Sequence, residues 1–344
     1  MPKIELNLLP TMIGSMPYTD ASKAMLQIIK YLPHIPAWPQ LPHRDFRELM
    51  SAQYSEGFPG LTLDSDGNAV VVEKLFQEQL QKLYEDYLAA NYERYAFSID
   101  YAAGFQTYMQ TKSLSPLIAK GQVTSPITFA LTVKDENDRA ILYDDTKKEA
   151  VCLLLNLKAK WQEHRLRNHS PNTLLFLDEP ALSSFGSAYL PISEETVTAM
   201  LSKVLEGLEG LKGIHVCGGT NWEMLLKMTS LDVLNFDAYH FADNLQIYQN
   251  EVKKFWRQGK AIAWGIVPTD EKELKEETVF SLKDRLEEKM AFYTRGTDAI
   301  SFKEIAAQSL LTPSCGLNGL SEEACNQALQ ILAELSDIMR RKYL

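Results

Sequence analysis

The chain has 344 residues, 45% of them hydrophobic and 23% charged, enough apolar side chain for one large core or two ordinary ones. Its net charge is −10, and the one basic cluster, Arg340-Arg341-Lys342, falls at the end of a predicted helix, so no nucleic-acid partner is expected. No run reaches the ~18 apolar residues of a membrane span, no basic-then-apolar leader opens the sequence, and four cysteines are too few for a disulfide scaffold of this size. The expectation is a cytoplasmic protein without a membrane partner.

In chain order, Leu8 to Met16 reads as a strand and Asp20 to Tyr31 as a helix, with Thr19 or Asp20 near its N-cap. Residues 32–63 hold Pro33, Pro36, Pro39, Pro42 and Pro59 and read as a long, partly ordered insertion. Val70 to Asn91 has the spacing of a long amphipathic helix, Ser115 to Val123 is extended, and Lys147 to Arg167 is helical. From Thr173 onward, apolar strands alternate with helices. Strands are expected at Thr173 to Leu177, Gly213 to Cys217, Leu231 to Phe236, Ala261 to Val267 and Leu310 to Thr312. Helices are expected at Glu194 to Leu208, Trp222 to Met228, Leu245 to Gln258, Leu282 to Tyr293 and Ser321 to Arg341.

Uniformly apolar strands separated by helices imply parallel strands covered on their outer face. There is no Gly-rich dinucleotide fingerprint after the first strand. The polar residues of interest stand at the C-terminal ends of several different strands, and a barrel gathers all such ends on one face. The expected fold is therefore an α/β, (β/α)8 TIM barrel, one catalytic unit over 1–344 with the Pro-rich insertion at about 32–63.

Those strand ends carry the chemistry. His215 and Cys217 are two apart on an extended chain, so both leave the same face and form a bidentate clip. Asp237 follows one strand–helix unit later, and Cys315 sits in a Pro-Ser-Cys-Gly turn. Two thiols, an imidazole and a carboxylate suit a tetrahedral Zn2+. Taken singly, each reads more plainly as a buried thiol or a core-edge histidine, but their recurrence at strand ends favours the metal. His240 is a spare candidate. In Leu177-Asp178-Glu179-Pro180, either carboxylate could meet a substrate amine, with Asp178 the better placed, or could cap a helix. Ile13-Gly14-Ser15 offers backbone amides to a carboxylate, or an ordinary turn. Gly121 to Pro126 could line a pocket mouth, and Trp264 could pack over a substrate or fill the barrel. G-x-S-x-G, P-loop, H-E-x-x-H and C-x-x-C motifs are absent.

Ile13-Gly14-Ser15-Met16-Pro17, Asp178-Glu179-Pro180-Ala181, His215-x-Cys217 and Pro313-Ser314-Cys315-Gly316-Leu317, in that order, resemble the catalytic barrel of cobalamin-independent methionine synthase. The resemblance spans nearly the whole chain. It implies a zinc-dependent methyltransferase acting on a thiol, with homocysteine the default acceptor and methionine the product. His215, Cys217 and Cys315 carry over as zinc ligands, Asp178 as the group that holds the amine, and Ile13 and Ser15 as contacts to the carboxylate. The family's remaining ligand is usually Glu, where this chain offers Asp237. No counterpart of the family's loop Glu stands among Glu56-Gly57-Phe58-Pro59. The chain resembles only the catalytic half of the two-barrel enzyme, which implies a methyl-corrinoid protein or methylcobalamin as donor, with methyl-folate the other choice. Three alternatives remain open: a methyltransferase for another thiol such as coenzyme M, a lyase resembling uroporphyrinogen decarboxylase on the same type of barrel, and a non-catalytic metal- or corrinoid-binding barrel. The decarboxylase needs arginines near the strand ends, and few occur there.

Overall fold

In a computed structural model describing residues 5–64, 66–296 and 298–344, seven parallel strands form one curled sheet. They are β1 (Leu9–Pro10), β2 (Ala119–Thr124), β3 (Thr173–Asp178), β4 (Leu211–Val216), β5 (Val233–Phe236), β6 (Ala261–Val267) and β7 (Ser309–Pro313). Their order across the sheet is β1-β7-β6-β5-β4-β3-β2. Helices connect them on the outside, the longest being Asp145–Leu166 and Glu322–Tyr343. The last is capped by the Ser321 side chain, and the first helix, Ala21–Tyr31, by Asp20.

The expected closed eight-stranded barrel is corrected by this sheet, which does not close by a continuous ladder. Between β1 and β2 runs the extended segment 34–40, whose strand pairing among the described residues is limited to the single bridges Ser15↔Gln40 and Ala37↔Lys120. Pro36 and Pro39 supply no N–H, so a regular ladder cannot run through this segment. What remains is a set of discrete bonds: Ile118 N–H to the His34 carbonyl, Lys120 N–H to that of Pro36, and Gln40 N–H to that of Gly14. The same gap shortens the first strand from the expected Leu8–Met16 to two residues. The Pro-rich insertion is therefore a wall of the fold. Trp38 and Leu41 within it are fully buried.

Two other expectations change. The helix expected from Val70 begins at Glu73, because Ala69–Val71 pairs with Leu61–Leu63 and Lys134–Asp135 in a small second sheet. The helix expected over Leu245 to Gln258 is two helices, Ala238–Gln246 and Gln249–Arg257.

Strand alternation decides what faces inward. Leu9, Leu174, Phe176, Val233, Ala261, Ala263 and Leu310 pack together as the apolar floor of the curled sheet. Phe176 occupies room that exists only because Gly213 on the neighbouring strand has no side chain: a Cβ there would lie 2.3 Å from the Phe176 ring. One layer above, in register across three strands, stand Asp178, His215 and Asn235. The sheet is thus apolar at its base and polar at the C-terminal rim, which places the chemistry at one end.

Candidate metal centre

His215 leaves the inner face of β4, and Cys217 follows one residue past its end. Cys315 comes from the turn after β7, which is tied down on both sides. Ser314 N–H donates to the Val267 carbonyl at 2.8 Å, and Leu317 N–H to that of Ser15 at 2.9 Å. A register shift at Thr312/Pro313 ends the ladder just before this turn. The result brings the ligand atoms of His215, Cys217 and Cys315 within 4.8 Å of one another. Among the described residues, these three alone form such a group.

Asn235 fixes the imidazole. Its amide nitrogen spends both hydrogens, on the Ala263 carbonyl at 2.9 Å and on Thr312 Oγ1 at 2.8 Å. Its oxygen therefore faces His215 Nδ1, 2.5 Å away, and Nδ1 must donate. That leaves Nε2 as the lone-pair nitrogen, and it is buried with no well-formed hydrogen bond. A buried, unpaired imidazole nitrogen beside two thiols is what a soft cation would satisfy, so the residues fit a metal ion. Replacing Asn235 with Leu, of similar volume but without an acceptor, is expected to weaken metal binding by about 10–100-fold, measured by competition with a chelator.

The two thiols shift in opposite directions. The Cys315 S–H beside Cys217 pulls Cys217 below the usual thiol value, against its burial. Cys315 is pushed up to about 12 by Cys217 and by burial, with His215 opposing. His215 loses charge to burial, but Cys315, Asp178 and Asn235 together raise it.

Asp237 is not brought into the three-residue cluster. It caps the helix Ala238–Gln246, with one carboxylate oxygen accepting from the His240 N–H at 3.0 Å and the other 2.7 Å from the His240 ring. The far ring nitrogen of His240 lies 2.8 Å from Glu273. Burial opposes a charge on His240, but Glu273 and Asp237 outweigh it and raise its pKa. His240 thus serves as an orienting partner of Asp237, whose charge still reaches Cys217.

The cluster opens into a cavity of about 250 Å³. Ile13, Ser15, Asp178 and Glu48 line it beside the three ligands. Asp178 is 4% exposed, and its Oδ1 has no partner. Burial raises its pKa, opposed by His215 and by the fully buried Lys120. Glu179 points away: it accepts from Thr128 Oγ1 at 2.5 Å and from Ala181 N–H at 3.1 Å, so the capping role in this pair falls to Glu179. Ser15 Oγ is committed to Asn318 at 2.9 Å. Among the described residues, neither the Gly14 nor the Ser15 N–H finds an acceptor, which leaves those amides for a ligand.

Trp264 is corrected by the structure. Alternation on β6 turns Ala263 inward and Trp264 outward, where it packs against Trp256, Phe236 and Tyr293 and donates to Ser309 Oγ. It touches neither cavity nor floor. Three residues of the site carry no signal in the motifs. Asn235 shares the inward parity of Asp237. Lys120 stands below the rim on β2. Glu48 arrives on the loop after the first helix, accepting from Leu41 N–H at 3.0 Å and from Arg44 at 2.7 Å, with burial raising its pKa against those bonds.

A curled parallel sheet whose C-terminal rim joins a His-Cys-Cys cluster to a buried carboxylate defines a barrel-type protein with a candidate metal centre. No protein-family model matches the chain, and no curated protein matches it significantly in sequence. Solved structures do. A B12-independent methionine synthase from Shewanella sp. W3-18-1, in complex with selenomethionine, is 16% identical and superposes with a TM-score of 0.59 over 98% of both chains. A methyltransferase from Methanosarcina mazei is 11% identical, with a TM-score of 0.57, over 95% of this chain and 94% of that one. Over nearly its whole length, the chain has the fold of B12-independent methionine synthase-like proteins.

Proposed function

We propose that the protein is a zinc-dependent methyltransferase that moves a methyl group to a small-molecule thiol, homocysteine giving methionine. The observation that carries this reading is the convergence of His215, Cys217 and Cys315 on a cavity that also presents the unpaired oxygen of Asp178. His215 through Nε2, Cys217 and Cys315 would hold the ion, with Asp237 adding negative charge beside Cys217. Zinc bound there supplies a Lewis acid that keeps an incoming thiol deprotonated near neutral pH, where a free alkyl thiol with a pKa near ~8.5 is mostly protonated.

The chain's own residues do the rest. Asp178 pairs with the substrate ammonium, which relieves the cost of a buried carboxylate. Glu48, already satisfied by the protein, shapes the wall on the far side. The Gly14 and Ser15 amides meet the carboxylate. So held, the substrate sulfur attacks the donor methyl in line. The S–CH3 bond forms while the donor–CH3 bond breaks, and its electron pair leaves with the donor. Positioning of this kind supplies roughly 7–11 kcal/mol in favourable cases.

The decarboxylase alternative lacks support at the site, since no arginine lines the cavity. Among the described residues, no helix is long and apolar enough to cross a membrane. Two adjacent reduced thiols suit a cytoplasmic location. The test is zinc analysis together with transfer of isotope-labelled methyl to homocysteine, with methylcobalamin and methyl-folate supplied in parallel. About one zinc per chain and labelled methionine from either donor are expected. Zinc-free protein, or zinc protein that methylates no thiol, would refute the proposal.

A further inference from the structure

Lys120 is a fully buried lysine that the reaction above leaves unused. It stands on the inner face of β2 with 0% exposure, its ammonium 4.5 Å from the Phe176 ring centroid and 2.8 Å from the Ile13 carbonyl oxygen. Among the described residues it has no salt-bridge partner, and its neighbours are this ring and this carbonyl. Keeping an ammonium in such a place is costly, and among the described residues the Ile13 carbonyl is its one hydrogen-bond acceptor.

That carbonyl belongs to the peptide joining Ile13 to Gly14. In a trans peptide the C=O and the following N–H point in opposite directions. With the oxygen drawn down to Lys120, the Gly14 N–H is turned away from the buried floor, on the segment whose Ile13 and Ser15 line the cavity. The next residues are clamped from the other side, with Gln40 N–H donating to the Gly14 carbonyl and Met16 N–H to that of Gln40, both at 3.0 Å. A Cβ on Gly14 would sit 2.4 Å from Gln40 Oε1, so a side chain there would have to displace the buried Gln40 amide. The peptide is thus held at both edges while its N–H groups stay unpaired.

We infer that Lys120 is a positioning residue: by pinning the Ile13 carbonyl it presents the Gly14 and Ser15 amides to a substrate carboxylate, and so makes the site select amino-acid thiols over simple aminothiols. This rests on the thiol-binding reading above and names the residue that sets its selectivity.

The test is calorimetric binding to the zinc-loaded chain of two probes, homocysteine and 3-mercaptopropylamine, which is homocysteine without its carboxylate. The wild-type chain should favour homocysteine. Lys120→Met should lose homocysteine affinity by about tenfold or more beyond any change in 3-mercaptopropylamine binding, since both probes offer the same ammonium to Asp178 while only homocysteine brings a carboxylate to the misplaced amides. Lys120→Gln, too short to reach the Ile13 oxygen, should show the same selective loss and serves if the Met variant does not fold. Equal losses for both probes, or none, would overturn the inference and leave the thiol-binding site standing. A wild-type chain that binds neither probe would overturn both together.

Discussion

Serine in place of Cys217 or Cys315 is expected to abolish stoichiometric zinc and, with it, methyl transfer. Each substitution removes one of the two anionic sulfur ligands that can meet the ion here, leaving a hydroxyl that is a far poorer donor to a soft cation. The loss should exceed the roughly 10–100-fold that follows removal of an outer partner such as Asn235. The fold should persist. In a zinc finger the metal holds the structure together, but here the cluster stands at the rim of a sheet whose floor and outer face are already packed. Metal analysis after dialysis, paired with a thermal melt, separates the two effects. Near-wild-type zinc in Cys217→Ser would contradict the assignment, and a collapsed melt would give the cluster a structural role as well.

Asp178→Asn should do the converse, keeping zinc and losing catalysis. The amide preserves size and can still accept a hydrogen bond, but it carries no charge to set against an ammonium. Truncating one side of a buried charge pair costs roughly 2–4 kcal/mol, so kcat/KM for homocysteine should fall by about two to three orders of magnitude. A thiol without an amine, such as 2-mercaptoethanesulfonate, should lose little. A uniform loss across thiols would move Asp178 from substrate binding to support of His215, its register partner across β3 and β4.

These outcomes bear on how much of the site could be read from the chain. The H-x-C spacing placed His215 and Cys217 on one face because strand parity is a local property, and that parity survives in the structure. The same rule could have found Asn235, two residues before Asp237, and Lys120, Gln122 and Thr124, polar at every second position of a strand that is buried throughout. It also places Trp264 on the opposite face from Ala263, away from the cavity. Three-dimensional closure was beyond local reading. Pro36 and Pro39 mark residues 34–40 as a loop by every propensity rule, yet they run extended between β1 and β2 because both neighbouring edges offer bonds that a proline-containing chain can still accept. Glu48 was invisible for a related reason, since its approach to the cavity depends on the path of that same segment. Asp237 has the right parity for the cluster, but its helix-capping bonds to His240 draw its carboxylate to that partner, a competition that no spacing reveals.

X-ray absorption at the zinc edge, on the purified chain before and after adding homocysteine, reads the proposed thiol-binding centre itself. Two sulfur neighbours and one imidazole nitrogen from the protein are expected, with a third sulfur when the thiol is added. A first shell without two sulfurs, or one that gains none from homocysteine, would contradict the proposal.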